Sequence, residues 1–116
     1  MRVFVYYNLH KHIWSIRALT GPNKGLVVAH SPTVLLKDPV GKVSPAGRAR
    51  VLRDRCKNVH AGIVGELVHT GGEGWFPGLQ VTYNPYKFET FVYSDTIEPF
   101  EGAQYAYMEN KKVTVL

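Results

Sequence analysis

The sequence predicts an α+β domain, in which a largely antiparallel β-sheet carries a single basic helix. Two patterns support this fold class. Most of the chain consists of short runs that alternate apolar and polar residues, separated by glycine, proline and asparagine, as in half-buried strands. One segment, residues 44–60, instead spaces its apolar residues as a helix does. We therefore expect about six or seven strands, joined by short and hence antiparallel connections, with the helix packed on them.

Length and composition indicate one small domain, residues 1–116. The chain has 116 residues, of which 45% are hydrophobic and 20% charged, as in ordinary globular proteins. Its single cysteine cannot form an internal disulfide, and no apolar run is long enough to span a membrane. The N-terminus lacks the pattern of a secretory leader, so we expect a soluble, cytoplasmic protein. The formal net charge of +5 favours an anionic partner.

The first strands are expected at residues 2–9, 13–19, 26–29 and 34–37. The first two runs alternate β-branched and aromatic residues with polar ones, which is typical of strands. Because the connections are short, about the first three or four strands should form a meander. His10 and His12 lie in the first turn, but two histidines fall short of the ligand set of a zinc site. Asp38 and Pro39 are expected to break the chain before the helix.

The helix is expected to span about residues 45–57. Ser44 followed by Pro45 is the pattern of an N-cap with proline at the first helical position. Asn58 suits the left-handed residue that ends a helix. Gly47 is unfavourable inside the first turn. One apolar stripe, spaced i, i+3, i+7, is expected to face the core. It comprises Ala49, Leu52 and Cys56.

The same segment concentrates the positive charge of the chain. It holds five basic residues and one acid, a local charge of +4 against a formal total of +5. The cations are Arg48, Arg50, Arg53, Arg55 and Lys57. Because a solvated helix face usually mixes its charges, the set favours contact with an anionic ligand. For each arginine alone, a solvent-exposed position is an equal alternative, with Arg50 paired to Asp54 one turn later.

Residues 59–68 predict a central strand, in which Gly62 and Gly65 indicate a bulge or a close backbone approach. His60 begins this strand and is either a histidine bonded to a nearby backbone group or a residue of the site. In residues 69–78, four glycines surround Trp75 and its neighbour Phe76. These two aromatic side chains either cover a ligand or plug the end of the sheet.

The remaining strands are expected at residues 79–83, 88–93, 104–108 and 112–116. In the first two of these strands and in the turn between them, aromatic and basic residues are close to one another. Such residues can stack on bases and attract phosphates. These residues are Tyr83, Tyr86, Lys87, Phe91 and Tyr93. With fourteen aromatic residues in the chain, most must be core, so only a minority can contact a ligand.

Catalytic motifs are absent from the sequence. It contains no Gly-x-Ser-x-Gly elbow, no His-Glu-x-x-His pair and no set of Cys and His ligands. The glycine-containing turn at residues 20–25 lacks the spacing of a P-loop. We therefore expect binding instead of catalysis, with no catalytic residue, no metal ligand and no cofactor.

Several motifs resemble a set of small accessory proteins encoded by tailed bacteriophages. They are RVLR at 50–53, KNVHA at 57–61, VT at 81–82 leading into YNPYK at 83–87, and FV at 91–92. The resemblance extends over most of the chain. It implies a context, because such phage proteins often bind and neutralise a molecule of the host, including nucleotide messengers of antiviral signalling.

The expected function is therefore non-enzymatic binding of an anionic, phosphate-containing ligand, as an anti-defence sponge for a nucleotide-type immune signal. The expected ligand-binding residues are Arg48, Arg50, Arg53, Arg55, Lys57, His60, Trp75, Tyr83, Tyr86, Lys87 and Phe91. A homo-oligomer would help, because one small sheet with one helix offers little concavity and pockets commonly form at interfaces. Two alternatives stay open: non-specific binding of DNA or RNA, and inhibition of an acidic host protein by docking onto it.

Overall fold

The computed structural model describes residues 1–55, 60–72 and 77–116. Nine strands and one helix follow one another along these residues. They are β1 (Arg2–Asn8), β2 (Ile13–Ala18), β3 (Val27–Ser31), β4 (Thr33–Val43), α1 (Pro45–Asp54), β5 (Ala61–Thr70), β6 (Leu79–Thr82), β7 (Val92–Tyr93), β8 (Tyr105–Glu109) and β9 (Lys112–Val115). The α+β class with a single helix is confirmed for the described residues. The sheet contains nine described strands, more than the six or seven predicted.

All nine strands belong to one sheet in the order β3-β2-β1-β5-β4-β8-β9-β6-β7, and their pairings are antiparallel. The first three strands form the predicted meander. Strand β4 does not continue it, because β4 pairs with β5 and β8 instead of β3. Strand β5 returns after the helix and lies between β1 and β4, in the central position that its apolar sequence predicts.

The sheet curls, so that strands distant in its order share one hydrophobic core. Val5 and Trp14, from β1 and β2, belong to the same buried cluster as Val81 of β6 and Val113 of β9. A twisted sheet of nine strands is close to the size at which open sheets curl or divide. The curl brings the two ends of the sheet to opposite sides of one interior.

Strand β4 is longer than predicted, because Asp38 and Pro39 do not break it. Asp38 adopts a φ of 52°, its N–H donates to the Gln104 carbonyl at 2.8 Å, and the β4–β5 register shifts between Lys37 and Val40. The pair therefore forms a bulge within a continuous strand.

Helix α1 begins as predicted but ends earlier. The Ser44 hydroxyl accepts a hydrogen bond from the Gly47 N–H at 3.2 Å, and Pro45 is the first helical residue. Arg55, not Asn58, supplies the left-handed residue, with φ 53° and its N–H bonded to the Val51 carbonyl at 2.8 Å. Asn58 lies outside the described residues.

The predicted apolar stripe of the helix was wrong. Ala49 and Leu52 are exposed, whereas Val51 is 5% exposed and is the buried residue of α1. Cys56 lies outside the described residues. The helix packs by its Val51 flank because Arg48, on the same side, is drawn to backbone carbonyls of the segment that follows β6.

Candidate functional site

A cavity of about 500 Å³ lies inside the curled sheet, lined by residues of β1, β2, β5, β6, β9 and α1 and of neighbouring segments. Its volume falls within the range of about 300–1,000 Å³ that is usual for small-molecule pockets. We call this cavity the inner pocket. Its described lining residues are Val5, Tyr6, Tyr7, Leu9, Trp14, Val51, Arg55, His60, Ala61, Gly62, Ile63, Val81, Thr82, Tyr83, Pro85, Tyr86, Phe91, Lys111 and Val113.

Two aromatic pairs form opposite parts of the wall. Tyr7 and Trp14 meet edge to face with ring centroids 5.2 Å apart. Tyr83 and Phe91 lie 5.2 Å apart in a tilted arrangement. The first pair sits on β1 and β2, whereas the second comes from the segment around β6, so the curl of the sheet brings them to the same cavity. Aromatic faces of this kind bind flat apolar or aromatic groups.

Two cations, Arg55 and Lys111, also line the inner pocket, and both are exposed. Each occupies a left-handed backbone position: Arg55 ends α1 with φ 53°, and Lys111 lies in the β8–β9 turn with φ 65°. The Lys111 Nζ lies 5.4 Å from the Tyr7 ring centroid. Among the described lining residues there is no aspartate or glutamate. The pocket therefore has an electrostatic preference for anions.

His60 and Tyr83 are joined inside this site. The His60 Nε2 lies 3.0 Å from the Tyr83 hydroxyl, and the two rings meet edge to face at 5.6 Å. Burial raises the pKa of Tyr83, while the charge of Arg48 and a hydrogen bond from it act in the opposite direction. The phenol therefore stays protonated at neutral pH and can donate or accept a hydrogen bond.

The position of His60 depends on Gly47. The His60 carbonyl accepts a hydrogen bond from the Ser44 N–H at 2.7 Å, which ties the start of β5 to the start of α1. A Cβ atom added to Gly47 would lie only 2.6 Å from the Cβ of His60. The glycine that is unfavourable for the helix is therefore required by this close approach.

Arg48 fixes the segment that carries Tyr83 and Tyr86. Its Nε donates to the carbonyls of Pro85 and Phe88 at 3.1 and 3.0 Å. Within the same segment, the Asn84 side chain accepts a hydrogen bond from the Tyr86 N–H at 2.9 Å. Arg48 is half-buried and thus positions the segment that carries Tyr83 and Tyr86.

The structure gathers only part of the predicted site. The inner pocket brings together Arg55, His60, Tyr83, Tyr86 and Phe91, and Arg48 supports them from behind. Three other predicted residues do not line it and are exposed: Arg50, Arg53 and Lys87. Lys57 and Trp75 lie outside the described residues. The basic residues of α1 therefore do not converge on one point.

Asp54 is paired differently from the prediction. It forms an ion pair with Arg53, Nε to Oδ1 at 3.0 Å, instead of with Arg50. Because the Arg53 side chain is 71% exposed, this pair contributes little to stability.

Sequence reasoning missed Tyr7, Trp14 and Lys111. The alternation of residues puts Tyr7 on the apolar face of its strand. An aromatic side chain with a polar hydroxyl at the end of such a face was the signal that could have identified Tyr7 as a pocket residue. No local pattern predicts Lys111, because it reaches the pocket only through the pairing of β9 with β6. In the described residues, the Trp14 indole N–H is the buried side-chain donor without an acceptor.

The described residues offer neither a metal site nor a membrane-spanning helix. They contain no group of three or more His, Cys, Asp or Glu side chains arranged to hold a metal ion. Their one helix, of ten residues, is too short to cross a membrane.

Comparison with known proteins identifies the family. A family model described as the Mycobacterium phage L5 gene 82 protein matches residues 1–116. The gene 82 protein of Mycobacterium phage L5 is 46% identical over 119 residues, covering 97% of this chain and 94% of that protein. No solved structure shows a significant match to the chain. The resemblance to bacteriophage proteins is thus confirmed, and the chain belongs to the family of the Mycobacterium phage L5 gene 82 protein.

Proposed function

We propose that this phage protein binds and sequesters a nucleotide-type ligand in the inner pocket without converting it. The observation that carries the proposal is the composition of the pocket wall. Two aromatic pairs and two cations line one cavity, and its described lining contains no acid. A ligand that suits such a wall has a flat aromatic part and a negative charge, which is the chemistry of a nucleotide.

The pocket divides naturally between the two parts of such a ligand. The base stacks on the ring of Tyr7 or of Tyr83, which are half-buried and backed by the buried rings of Trp14 and Phe91. The phosphate lies near the exposed Arg55 and Lys111, where the guanidinium offers a bidentate donor and the ammonium a point charge. The Tyr83 hydroxyl, held in place by its contact with His60 Nε2 at 3.0 Å, is the polar group of the wall nearest to the base edge or the sugar in this arrangement.

Sequestration accounts for the chemistry of the pocket and for the phage family together. A protein that lowers the free concentration of a host immune signal in the host cytoplasm needs affinity and copy number, but no nucleophile or general base. It acts stoichiometrically, so the dissociation constant must lie below the concentration of the signal.

We propose in addition that the protein assembles as a homo-oligomer through β3. Among the described strands, β3 lies at one edge of the sheet and has β2 as its single partner. Leu26, Val27 and Val28 at this edge are 61%, 43% and 38% exposed. An apolar edge strand pairs readily with a second copy of itself about a two-fold axis.

Light scattering should report a dimer that Val27→Lys converts to a monomer, whereas Val68→Lys, at another exposed valine, leaves it intact. A monomeric wild-type protein at high concentration would contradict this assembly.

The function is tested by calorimetric titration with mononucleotides and cyclic dinucleotides, together with native mass spectrometry of protein purified from a nucleotide-rich lysate. Arg55→Asn and Lys111→Asn should each weaken binding by about tenfold or more, about the size of one charge-assisted contact. Asparagine is chosen because it tolerates the left-handed backbone of both positions. The matched control is Arg50→Asn, an exposed arginine of α1 outside the pocket, which should bind as the wild type does.

Other outcomes separate the alternatives. Binding of oligonucleotides that falls steeply with salt, and that Arg50→Asn and Arg53→Asn weaken, would replace this proposal with non-specific nucleic-acid binding. Recovery of a chemically altered nucleotide would replace sequestration with catalysis. Absence of any nucleotide binding at millimolar concentration, with a host protein retained instead, would leave inhibition by docking as the function.

A further inference from the structure

A second cavity, of about 190 Å³, lies on the opposite face of the strands that form the inner pocket. We call it the outer pocket; its described lining residues are Phe4, Tyr6, Arg17, Lys42, Ser44 and His60. Along β1, Val5 belongs to the core face, so its neighbours Phe4 and Tyr6 project to the other face. Tyr6 and His60 line both cavities, which places them where the two faces meet.

Because residue 62 is a glycine, there is room for the ring of Phe4, which lines the outer pocket. A Cβ atom added to Gly62 would lie 2.8 Å from two carbon atoms of the Phe4 ring, and it would also meet the Val5 carbonyl. With no side chain at this position, the Phe4 ring lies down over β5. The Phe4 ring is therefore the apolar floor of the outer pocket.

Two cations flank this floor from opposite sides. Arg17 is the β2 partner of Phe4, and its Cζ lies 4.8 Å from the Phe4 ring centroid. Lys42 is the β4 partner of Gly62. Since β1 and β5 lie between β2 and β4, the two backbones are three strand spacings apart, about 14 Å. Two long basic side chains on either side of a floor this wide can reach one small anion between them.

The outer pocket has no acidic group to neutralise these cations. The described lining contains no aspartate or glutamate, and the ion pairs of the described chain involve neither Arg17 nor Lys42. The Ser44 hydroxyl oxygen accepts from the Gly47 N–H, which leaves its hydrogen available for donation. The first turn of α1, which Ser44 caps, also contains no acid. Arg17, Lys42 and the Ser44 hydroxyl therefore all favour a negative charge at this site.

We propose that the outer pocket is a phosphate-binding site, separate from the inner pocket and independent of the ligand proposed there. Arg17 and Lys42 supply the positive charge, and Ser44 donates a hydrogen bond to a phosphate oxygen. The volume is below the range of about 300–1,000 Å³ usual for whole small-molecule ligands, so the site takes inorganic phosphate or a terminal phosphate monoester.

The test is a titration of ¹⁵N-labelled protein with inorganic phosphate at constant ionic strength, followed by amide chemical shifts. We expect saturable shifts concentrated at Phe4, Tyr6, Lys42 and Ser44. Arg17→Ala and Lys42→Ala should each weaken phosphate binding by about fivefold or more, and together they should abolish saturation. Arg17→Lys keeps the positive charge but loses the planar set of guanidinium donors. Its affinity for phosphate should therefore lie between those of the wild type and of Arg17→Ala. The matched control is Lys24→Ala, which removes an exposed cation from a distant turn.

Three results would overturn the proposal: shifts spread over all basic residues, unchanged affinity in Lys42→Ala, or an equal loss in Lys24→Ala. Lys42 is exposed, so Lys42→Ala keeps the test valid even if the half-buried Arg17 proves necessary for folding. Binding of an unphosphorylated nucleoside by the Arg17→Ala/Lys42→Ala protein reports on the inner pocket alone. Loss of phosphate binding with nucleoside binding retained supports the second site, and failure of the nucleoside to bind the wild type counts only against the inner pocket.

Discussion

The two faces of the β1–β2 hairpin come from alternate residues of the same short strands, yet they differ in chemistry. On one face Val5 and Trp14 join the buried core beside the inner pocket. On the other face Phe4 and Arg17 form part of the cationic outer pocket. One hairpin can therefore serve two roles on its two faces. The inner face contributes to stability, and the charges of the outer face can change at little cost to folding.

Substitutions of Trp14 and Arg17 should differ most in their effect on the free energy of unfolding. The two residues are three positions apart on β2 and lie on opposite faces. Trp14→Ala should lower the free energy of unfolding by about 3–5 kcal/mol, because it removes a large buried ring. Arg17→Ala should lower it by about 1–2 kcal/mol, because it removes the cation–π contact of a half-buried guanidinium with the Phe4 ring. Denaturant titrations of both variants measure the contrast. Similar losses for the two would show that the outer face also carries the fold.

Gly62 tests the contact between the two faces. Gly62→Ala should lower the free energy of unfolding by about 1–3 kcal/mol, because the added methyl group overlaps both the Val5 carbonyl and the Phe4 ring. It should also close the outer pocket to phosphate. In a Phe4→Ala background the same substitution should cost less, since one of its two close neighbours is gone. An additive double mutant would mean that the ring does not limit the space at residue 62.

Arg48 and Arg50 make a matched pair on α1. Arg48→Ala should lower the free energy of unfolding by about 1–3 kcal/mol, because two backbone carbonyls lose a charged donor. Arg50→Ala should change it by about 0.5 kcal/mol or less, as at other exposed positions. Thermal and denaturant unfolding give the measurement. Arg48→Ala should also weaken ligand binding in the inner pocket through the segment that carries Tyr83, whereas an unaltered affinity would limit Arg48 to folding.

Local signals predicted much of the fold. Alternation located most of the strands, and Ser44 with Pro45 located the start of the helix. The face by which the helix packs was not predictable from its own periodicity. Val51 is buried and Leu52 is exposed, and Arg48, on the Val51 side of the helix, bonds to carbonyls that are distant in the sequence. Such a contact between remote residues leaves no mark on the local pattern.

The candidate site was less predictable than the fold, since charge density does not specify direction. Arg50 and Arg53 belong to the most basic segment but point away from the inner pocket, whereas Arg55 reaches it from the end of the helix. Lys111 lies far along the chain and reaches it only because β9 pairs with β6. Aromatic positions near turns predicted the site better than arginine count did, as Tyr83 and Tyr86 illustrate.

The smallest expected effect concerns the pH dependence that Tyr83 confers on the inner face. Burial raises the pKa of Tyr83 above its ordinary value of 10.0, so the folded protein holds the phenolic proton more tightly than the unfolded chain does. The associated stabilisation is fully present below pH 10.0 and is lost as the pH rises through the folded-state pKa. Tyr83→Phe removes this group, so the variant should lose less stability than the wild type on going from neutral to strongly alkaline pH. At neutral pH it should be less stable by about 1 kcal/mol, because the hydrogen bond with His60 is lost. Thermal midpoints across this range, with Tyr105→Phe as the control for loss of an exposed phenol, measure the effect; parallel curves for wild type and Tyr83→Phe would show that Tyr83 titrates alike in the folded and unfolded states.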